Sequence, residues 1–365
     1  MHILLIRLRL VGDVVFTTPA LRALRRRFPG ARLAYLVEPG AAPVVLGNPH
    51  VDDVFIAPRS RGLRRIADDL RLAVALRRRR FDLVIDFHGG PRASWLAWAS
   101  GAPRRIGYTI PGRSWMYTER VSRPRELRAR HSVENQWDLL ERLDVPSITP
   151  DSDPTEMSER QDSRRAVEAR LTEAGVGPDD ELVVIHVSAG NPFRRWPSES
   201  FAALAAGLAS GSVRRRVVLT SGPSEPEAAR RVADQARARV PEVADRIMRI
   251  GEFDLPELRA LVGRAALFIG GDSGPLHIAS TTTTPIVALF GPTLPERSAP
   301  WRPVHFVTEC VEPGPLPCRP CDQRVCAPGD FRCLQHTSPE RVLEAAERAL
   351  RRGRLHLAPV PAIVQ

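Results

Sequence analysis

Short apolar runs and helical patterns alternate along the chain. Residues 2–8 form a nearly unbroken apolar run and predict a buried strand, while 17–28 carry a helical pattern with Pro19 in its first turn. Strands are expected at 32–37 and 54–57, then an amphipathic helix over 66–79. A further strand is expected at 82–87, ending in His88-Gly89-Gly90. Strand, helix, strand in this rhythm predicts a parallel sheet with right-handed crossovers.

A second series follows the same rhythm, with strands at 182–187, 217–220, 267–269 and 286–290 and helices at 199–209, 226–239 and 255–263. Between the two lies Pro150-Asp151-Ser152-Asp153-Pro154 and a charged stretch to about 180, poor in large apolar residues. The chain therefore reads as α/β, with two doubly wound halves over 1–165 and 166–350 and a poorly ordered tail over 351–365. Such halves are expected to hold a ligand in a cleft outside the carboxyl ends of their strands.

The length of 365 residues suits two domains, and 43% apolar with 26% charged residues describes a folded, soluble protein. No run approaches the roughly 18 apolar residues of a membrane span, and the start lacks a signal peptide's pattern, so a cytoplasmic location is expected. The formal net charge of +11 suits an anionic partner such as a phosphorylated glycolipid, a membrane surface or nucleic acid. Every Lys or Arg position is arginine. Runs such as Arg77-Arg78-Arg79-Arg80 and Arg214-Arg215-Arg216 read as solvated helix faces or strand edges.

The most informative chemistry lies at 268–279 (FIGGDSGPLHIA), where an apolar strand runs into small residues, an acid and a helix start. Gly270, Gly271 and Gly274 permit close backbone approach, Ser273 adds a hydroxyl, and the helix start offers unpaired N–H groups to a phosphate. An ordinary turn capped by Asp272 or Ser273 is the plainer alternative. Asp13 follows the first strand at a Gly12-Asp13 turn, where a carboxylate could take the proton of an attacking hydroxyl or simply cap the next helix. Ser188, Ala189 and Gly190 end another strand and suit close backbone approach to the same phosphates.

Residues 4–21 (LLIRLRLVGDVVFTTPAL), 191–197 (NPFRRWP), 271–277 (GDSGPLH) and 289–293 (LFGPT) occur in this order over nearly the whole chain. Together they resemble glycosyltransferase family 9, the heptosyltransferases of lipopolysaccharide core assembly. The resemblance implies a GT-B architecture with an N-terminal acceptor domain, a C-terminal domain for ADP-heptose, and inversion at the anomeric carbon without a catalytic metal or other cofactor. It matches Asp13 to the general base and Arg194 to a position where members commonly carry lysine, a cation for the diphosphate leaving group. Either Arg194 or Arg195 could face the ligand, or both could be a surface pair. Asp272, Ser273, Gly274 and His277 match the nucleotide-sugar motif, with Asp272 expected to accept from sugar hydroxyls. Glu225 resembles the acid that meets the ribose, although a glutamate at a helix start can equally serve the dipole.

The implied partners are a nucleotide-sugar donor and an anionic glycolipid acceptor, with peripheral contact at the inner membrane face and no nucleic acid. On the acceptor side His88, Arg92, Arg104, Arg105, Tyr108, His131, Glu134 and Asn135 are candidates. Cys318, Cys321, Cys326 and Cys333 have spacings compatible with a structural zinc, free thiols or a redox pair. A nicotinamide dehydrogenase is disfavoured because no G-x-G-x-x-G closes the first strand. A nucleotide-sugar epimerase, a family member using another donor or acceptor, and a non-catalytic nucleic-acid or membrane binder are the competing readings.

Overall fold

The computed structural model describes residues 1–122, 130–223, 225 and 227–357. The chain divides into two compact units, Met1–Ser158 with Trp301–Pro303, and Glu159–Pro300 with Val304 onward. The first holds β1 (His2–Ile6), β2 (Arg32–Val37), β3 (Asp53–Ile56), β4 (Leu83–Asp86), β5 (Arg104–Tyr108) and β6 (Glu119–Val121). The second holds β7 (Glu181–His186), β8 (Arg215–Thr220), β9 (Ile247–Met248), β10 (Leu267–Gly271), β11 (Ile286–Leu289) and β12 (Thr308–Val311).

Among the described residues both sheets have six strands, in the orders β3-β2-β1-β4-β5-β6 and β12-β11-β10-β7-β8-β9, and every pairing is parallel. Read from its other edge, the second order is the first with its strands renumbered, so each unit is wound as a Rossmann sheet. In such a sheet the winding reverses between the first and fourth strands, and the crevice left there is where ligands bind. That point lies between β1 and β4 in the first unit and between β7 and β10 in the second.

The central strands are apolar without alternation because helices cover both faces. Leu4, Ile6, Leu36 and Val84 pack with Leu72, Leu76 and Leu96 in the first unit. Ile185, Leu219 and Ile269 pack with Leu204, Val232 and Ala346 in the second. Phe16, Val133 and Trp301 form a separate cluster, and the Trp301 indole donates to the carbonyl of Asp153 at 2.8 Å.

Several expectations need correction. The border lies between Ser158 and Glu159 rather than at 165, because the charged stretch contains the helix Gln161–Glu173, whose Val167 and Leu171 are buried in the second unit. Two hydrophobic positions one turn apart carry too weak a pattern to announce that helix. The expected tail at 351 is helical as far as Leu357, as part of the helix Pro339–Leu357, whose Val342, Ala346 and Leu350 are buried; residues 358–365 lie outside the described residues. The helical pattern at 17–28 begins earlier, as the separate short helix Val11–Val15, followed by Thr18–Arg27. Among the described residues, no helix is long and apolar enough to cross a membrane.

Candidate active site

In the first unit, Asp13 lies in the helix Val11–Val15, immediately beyond β1 and thus beside the reversal point. Leu10 precedes it at φ 62°, a left-handed conformation that is strained for a leucine. The residue at the helix N-cap is Leu10, while Asp13 lies in the first turn and its carboxylate pairs with the Arg7 guanidinium. Arg7 also donates to the carbonyl of Phe87 at 2.6 Å, tying the ends of β1 and β4 together around Asp13. Asp13 keeps a side-chain exposure of 31%, which leaves its second oxygen accessible to a substrate hydroxyl.

In the second unit the corresponding point gathers residues from the ends of β7, β8 and β10. Asp272 follows β10 and is almost wholly buried, with its carboxylate taken up inside the protein. Oδ2 accepts from the Thr293 hydroxyl at 2.6 Å and lies 3.2 Å from Arg194 Nη1, while Oδ1 is 3.4 Å from His277 Nε2. Burial works to raise its pKa, but His277, Arg194 and Thr293 prevail and bring it down to about 2.

Arg194 is held by three acceptors: Nε donates to Gln323 Oε1 at 2.7 Å, and Nη1 meets both the Asp272 carbonyl at 3.0 Å and its carboxylate. None of these bonds uses Nη2, so that amino group is available to an anion. At Gly271 a Cβ would stand 3.2 Å from the Arg194 carbonyl oxygen, a tight contact that glycine avoids. Arg195 takes a different course, donating to the Ala189 carbonyl at 2.9 Å and pairing with Glu225 at 2.8 Å. The two adjacent arginines thus serve two different carboxylates.

Ser273 occupies the cap position of the helix Gly274–Ala279, but its hydroxyl donates to the Gly271 carbonyl at 3.2 Å and leaves the first turn uncapped. The Ser188 hydroxyl is also committed. It accepts the Gly222 N–H at 2.6 Å and shares a hydrogen bond with His186 Nε2 at 3.2 Å, while His186 Nδ1 shares one with Thr220 Oγ1 at 3.0 Å. Burial lowers the His186 pKa to about 4, in keeping with a neutral ring. Ser188 can therefore offer a ligand its backbone, and at Gly190 the space where a Cβ would stand is open apart from the adjoining residues. A cavity of about 410 Å³ beside this cluster is lined by Arg195, Trp196, Glu225, Arg231 and Phe331. It takes in Glu225 but not Arg194, Asp272 or Ser273.

The cysteine loop closes one side of the cluster. Gln323 reaches both Arg194 and Asn191, the Phe331 ring lies 5.3 Å from that of Phe193, and Arg319 donates to the Thr293 carbonyl at 2.8 Å. All five cysteines are free, and the backbone N–H groups of Gln323 and Phe331 donate to Cys321 and Cys326 sulfur. Among the described residues, no three His, Cys, Asp or Glu side chains are arranged to hold a metal ion.

Most of the candidate acceptor residues have structural partners. Arg92 is enclosed by Glu38, Asp69 and the Pro58 carbonyl, Arg104 pairs with Glu119, and Arg105 donates to the carbonyls of Ala102 and Met116. His131 and Glu134 form a reciprocal cap, with the His131 ring against Phe16 and Trp301, and the Tyr108 hydroxyl donates to the Asn135 carbonyl. The turn at His88 and Gly89 is shaped by Asp86, which accepts both N–H groups and the Tyr117 hydroxyl. Arg7, Asp86, Thr293 and Gln323 escape the sequence reading. Only Asp86, a lone acid inside an apolar strand, carries a local signal.

Two Rossmann-wound units, with a carboxylate at the reversal point of one and a braced arginine beside an uncapped helix start at that of the other, give the two-sheet architecture of the GT-B class. The family model described as glycosyltransferase family 9 (heptosyltransferase) matches residues 70–329. The chain belongs to that family. It is 30% identical to lipopolysaccharide heptosyltransferase 3 of Escherichia coli K12 over 80% of this chain and 83% of the relative. A family 9 glycosyltransferase from Veillonella parvula superposes with a TM-score of 0.83 at 26% identity, covering 96% and 97% of the two chains. An E. coli heptosyltransferase solved with ADP-2-deoxy-2-fluoro heptose shares the fold, with a TM-score of 0.69 at 20% identity over 95% and 99%.

Proposed function

We propose that the protein is an inverting heptosyltransferase that passes heptose from ADP-heptose to an anionic lipopolysaccharide inner-core acceptor embedded in the membrane. The observation that carries this reading is the brace on Arg194, which fixes one guanidinium edge on Gln323 and Asp272 and leaves Nη2 for a diphosphate. Arginine suits that task because its planar fork stays charged at every relevant pH.

In this mechanism Asp13 accepts the proton of the acceptor hydroxyl as its oxygen bonds to the anomeric carbon. The bond from that carbon to the ADP oxygen breaks on the opposite face, and ADP leaves with the electron pair. Arg194 and the backbone N–H groups at Ser273 and Gly274 meet the charge that develops on the diphosphate. Ser188 and Gly190 line its path with backbone, and Glu225, oriented by Arg195, accepts from the ribose. His277 and Asp272 keep Arg194 in position. The similarity to relatives named as heptosyltransferases supports the sugar assignment.

The test is transfer from ADP-heptose to purified core acceptors of increasing length, following glycosylated product and released ADP together. Equal amounts of product and ADP, with inverted anomeric configuration, are expected. ADP binding without transfer to any core acceptor would refute the assigned donor sugar or acceptor. Turnover of the nucleotide sugar with no acceptor present would indicate an epimerase.

A further inference from the structure

The helix Gly62–Arg78 carries a second apolar stripe besides the one that packs on the sheet. Leu72, Ala73 and Leu76 are buried in the core of the first unit. Leu63, Ile66, Leu70 and Val74 are exposed by 84%, 58%, 53% and 50%. At 3.6 residues per turn these four fall within a sector of about 80°, centred about 110° round the helix from the buried residues, and make a continuous outward stripe. Beside it Arg64, Arg71 and Arg78 recur every seven residues as a parallel row, all exposed; Asp68 pairs with Arg64 at 4.0 Å and with Arg71 at 2.9 Å, which leaves the row with a net positive charge. At the end of the helix the Arg77 guanidinium lies against Gly101, just beyond the helix Pro91–Ala99. That helix carries Trp98, which is exposed and stacks edge to face on exposed Trp115 with ring centroids 5.7 Å apart.

An apolar stripe beside an arginine row, with an accessible pair of indoles, has the chemistry of a helix lying in a bilayer interface. Leucine and isoleucine enter the acyl boundary, tryptophan sits at headgroup depth, and arginines reach the phosphates. We infer that the outward face of the helix Gly62–Arg78 is the surface by which the enzyme rests on an anionic bilayer. Charge complementarity selects this occupant over a second copy of the chain, since two such faces would bring like-charged arginine rows together. Four side chains are also too small an area for a stable dimer, which needs about 800 Å² per partner. The inference extends the reading of the acceptor as a membrane-embedded glycolipid, and adds the element that meets the membrane.

The experiment is co-sedimentation of the full chain with vesicles of phosphatidylglycerol and phosphatidylethanolamine lacking any glycolipid, against vesicles of phosphatidylcholine. Wild type should bind the anionic vesicles and release them as salt rises. The variant L63S/I66S/L70S, checked for native circular dichroism, should lose at least about tenfold in partitioning, whereas L70W should gain. Transfer to a water-soluble acceptor fragment should be unchanged in both variants, and transfer to vesicle-embedded acceptor should fall in the serine variant. Failure of wild type to bind, or wild-type partitioning by the serine variant, would overturn the inference. So would a dimer in sedimentation velocity that the serine substitutions abolish without altering vesicle binding. If vesicles bind as expected but no soluble acceptor is glycosylated, the functional reading fails and the membrane surface stands.

Discussion

Replacing Asp272 by asparagine removes one charge while preserving shape, at a side chain with only 2% exposure. The folded protein depresses this carboxyl from 3.8 to about 2, and a tenfold change in acidity between folded and unfolded chain corresponds to about 1.4 kcal/mol. The ionised form therefore contributes about 2 kcal/mol to the second unit at neutral pH, with little solvent screening to reduce it. Because the folded pKa is the lower one, this contribution is complete above the unfolded value and is lost as pH falls through the folded value. By linkage it declines to about half by pH 3. Hydrogen exchange at the amides of β10 reads the second unit specifically. Asp272→Asn should lower the opening free energy there by about 2 kcal/mol at pH 7, and the gap to wild type should narrow towards pH 3. Equal protection in the two proteins at pH 7, or a gap that does not change with pH, would refute the argument that an ionised Asp272 stabilises the site.

Arg194→Ala should lower kcat/KM by about a hundredfold through loss of charge on the leaving group, and Arg194→Lys should recover only part, because it cannot keep Gln323 and Asp272 while reaching a phosphate; steady-state kinetics with ADP-heptose checks both. Asp13→Asn should reduce kcat by about a hundredfold or more with ADP affinity unchanged in calorimetry, since Asp13 belongs to the first unit and the residues proposed to meet the diphosphate belong to the second. His186 stays neutral in the fold with a pKa of about 4 against 6.5 unfolded. Acidification from 6.5 to 4 should therefore cost the second unit about 3 kcal/mol, and His186→Gln should show a flatter pH dependence by exchange at β7.

The sheets were legible because their central strands are buried on both faces and read as unbroken apolar runs. The strands β5, β6, β9 and β12 were not: β5 opens on two arginines, in Arg-Arg-Ile-Gly-Tyr, and the others are short edge strands with few core positions, β6 having the sequence Glu-Arg-Val and β12 Thr-Glu-Cys-Val. Helix Pro339–Leu357 was obscured by its arginines, although its buried positions recur with helical period. In the site, the strand-to-helix turns at Asp13 and Asp272 could be read locally, because small residues after an apolar run announce a turn. Their partners could not. Gln323 lies far along the chain from Arg194, in a loop without regular structure, and nothing in its neighbours marks it. The expected exchange of hydrogen bonds between Asp272 and a sugar looks different once Thr293 and His277 are seen to occupy the carboxylate.

Trp301–Pro303 belongs to the first unit although the residues on both sides belong to the second. The Trp301 indole fills the space between Phe16 and Val133, packs on His131, and its carbonyl accepts the backbone N–H of Thr155. During synthesis, then, the amino-terminal half emerges with this part of its core empty and waits for some 140 further residues before the plug arrives. The two halves cannot be separated by a single cut. A gene fragment ending at the border would encode a unit with an open seam, and the mature fold is finished from the carboxyl-terminal side.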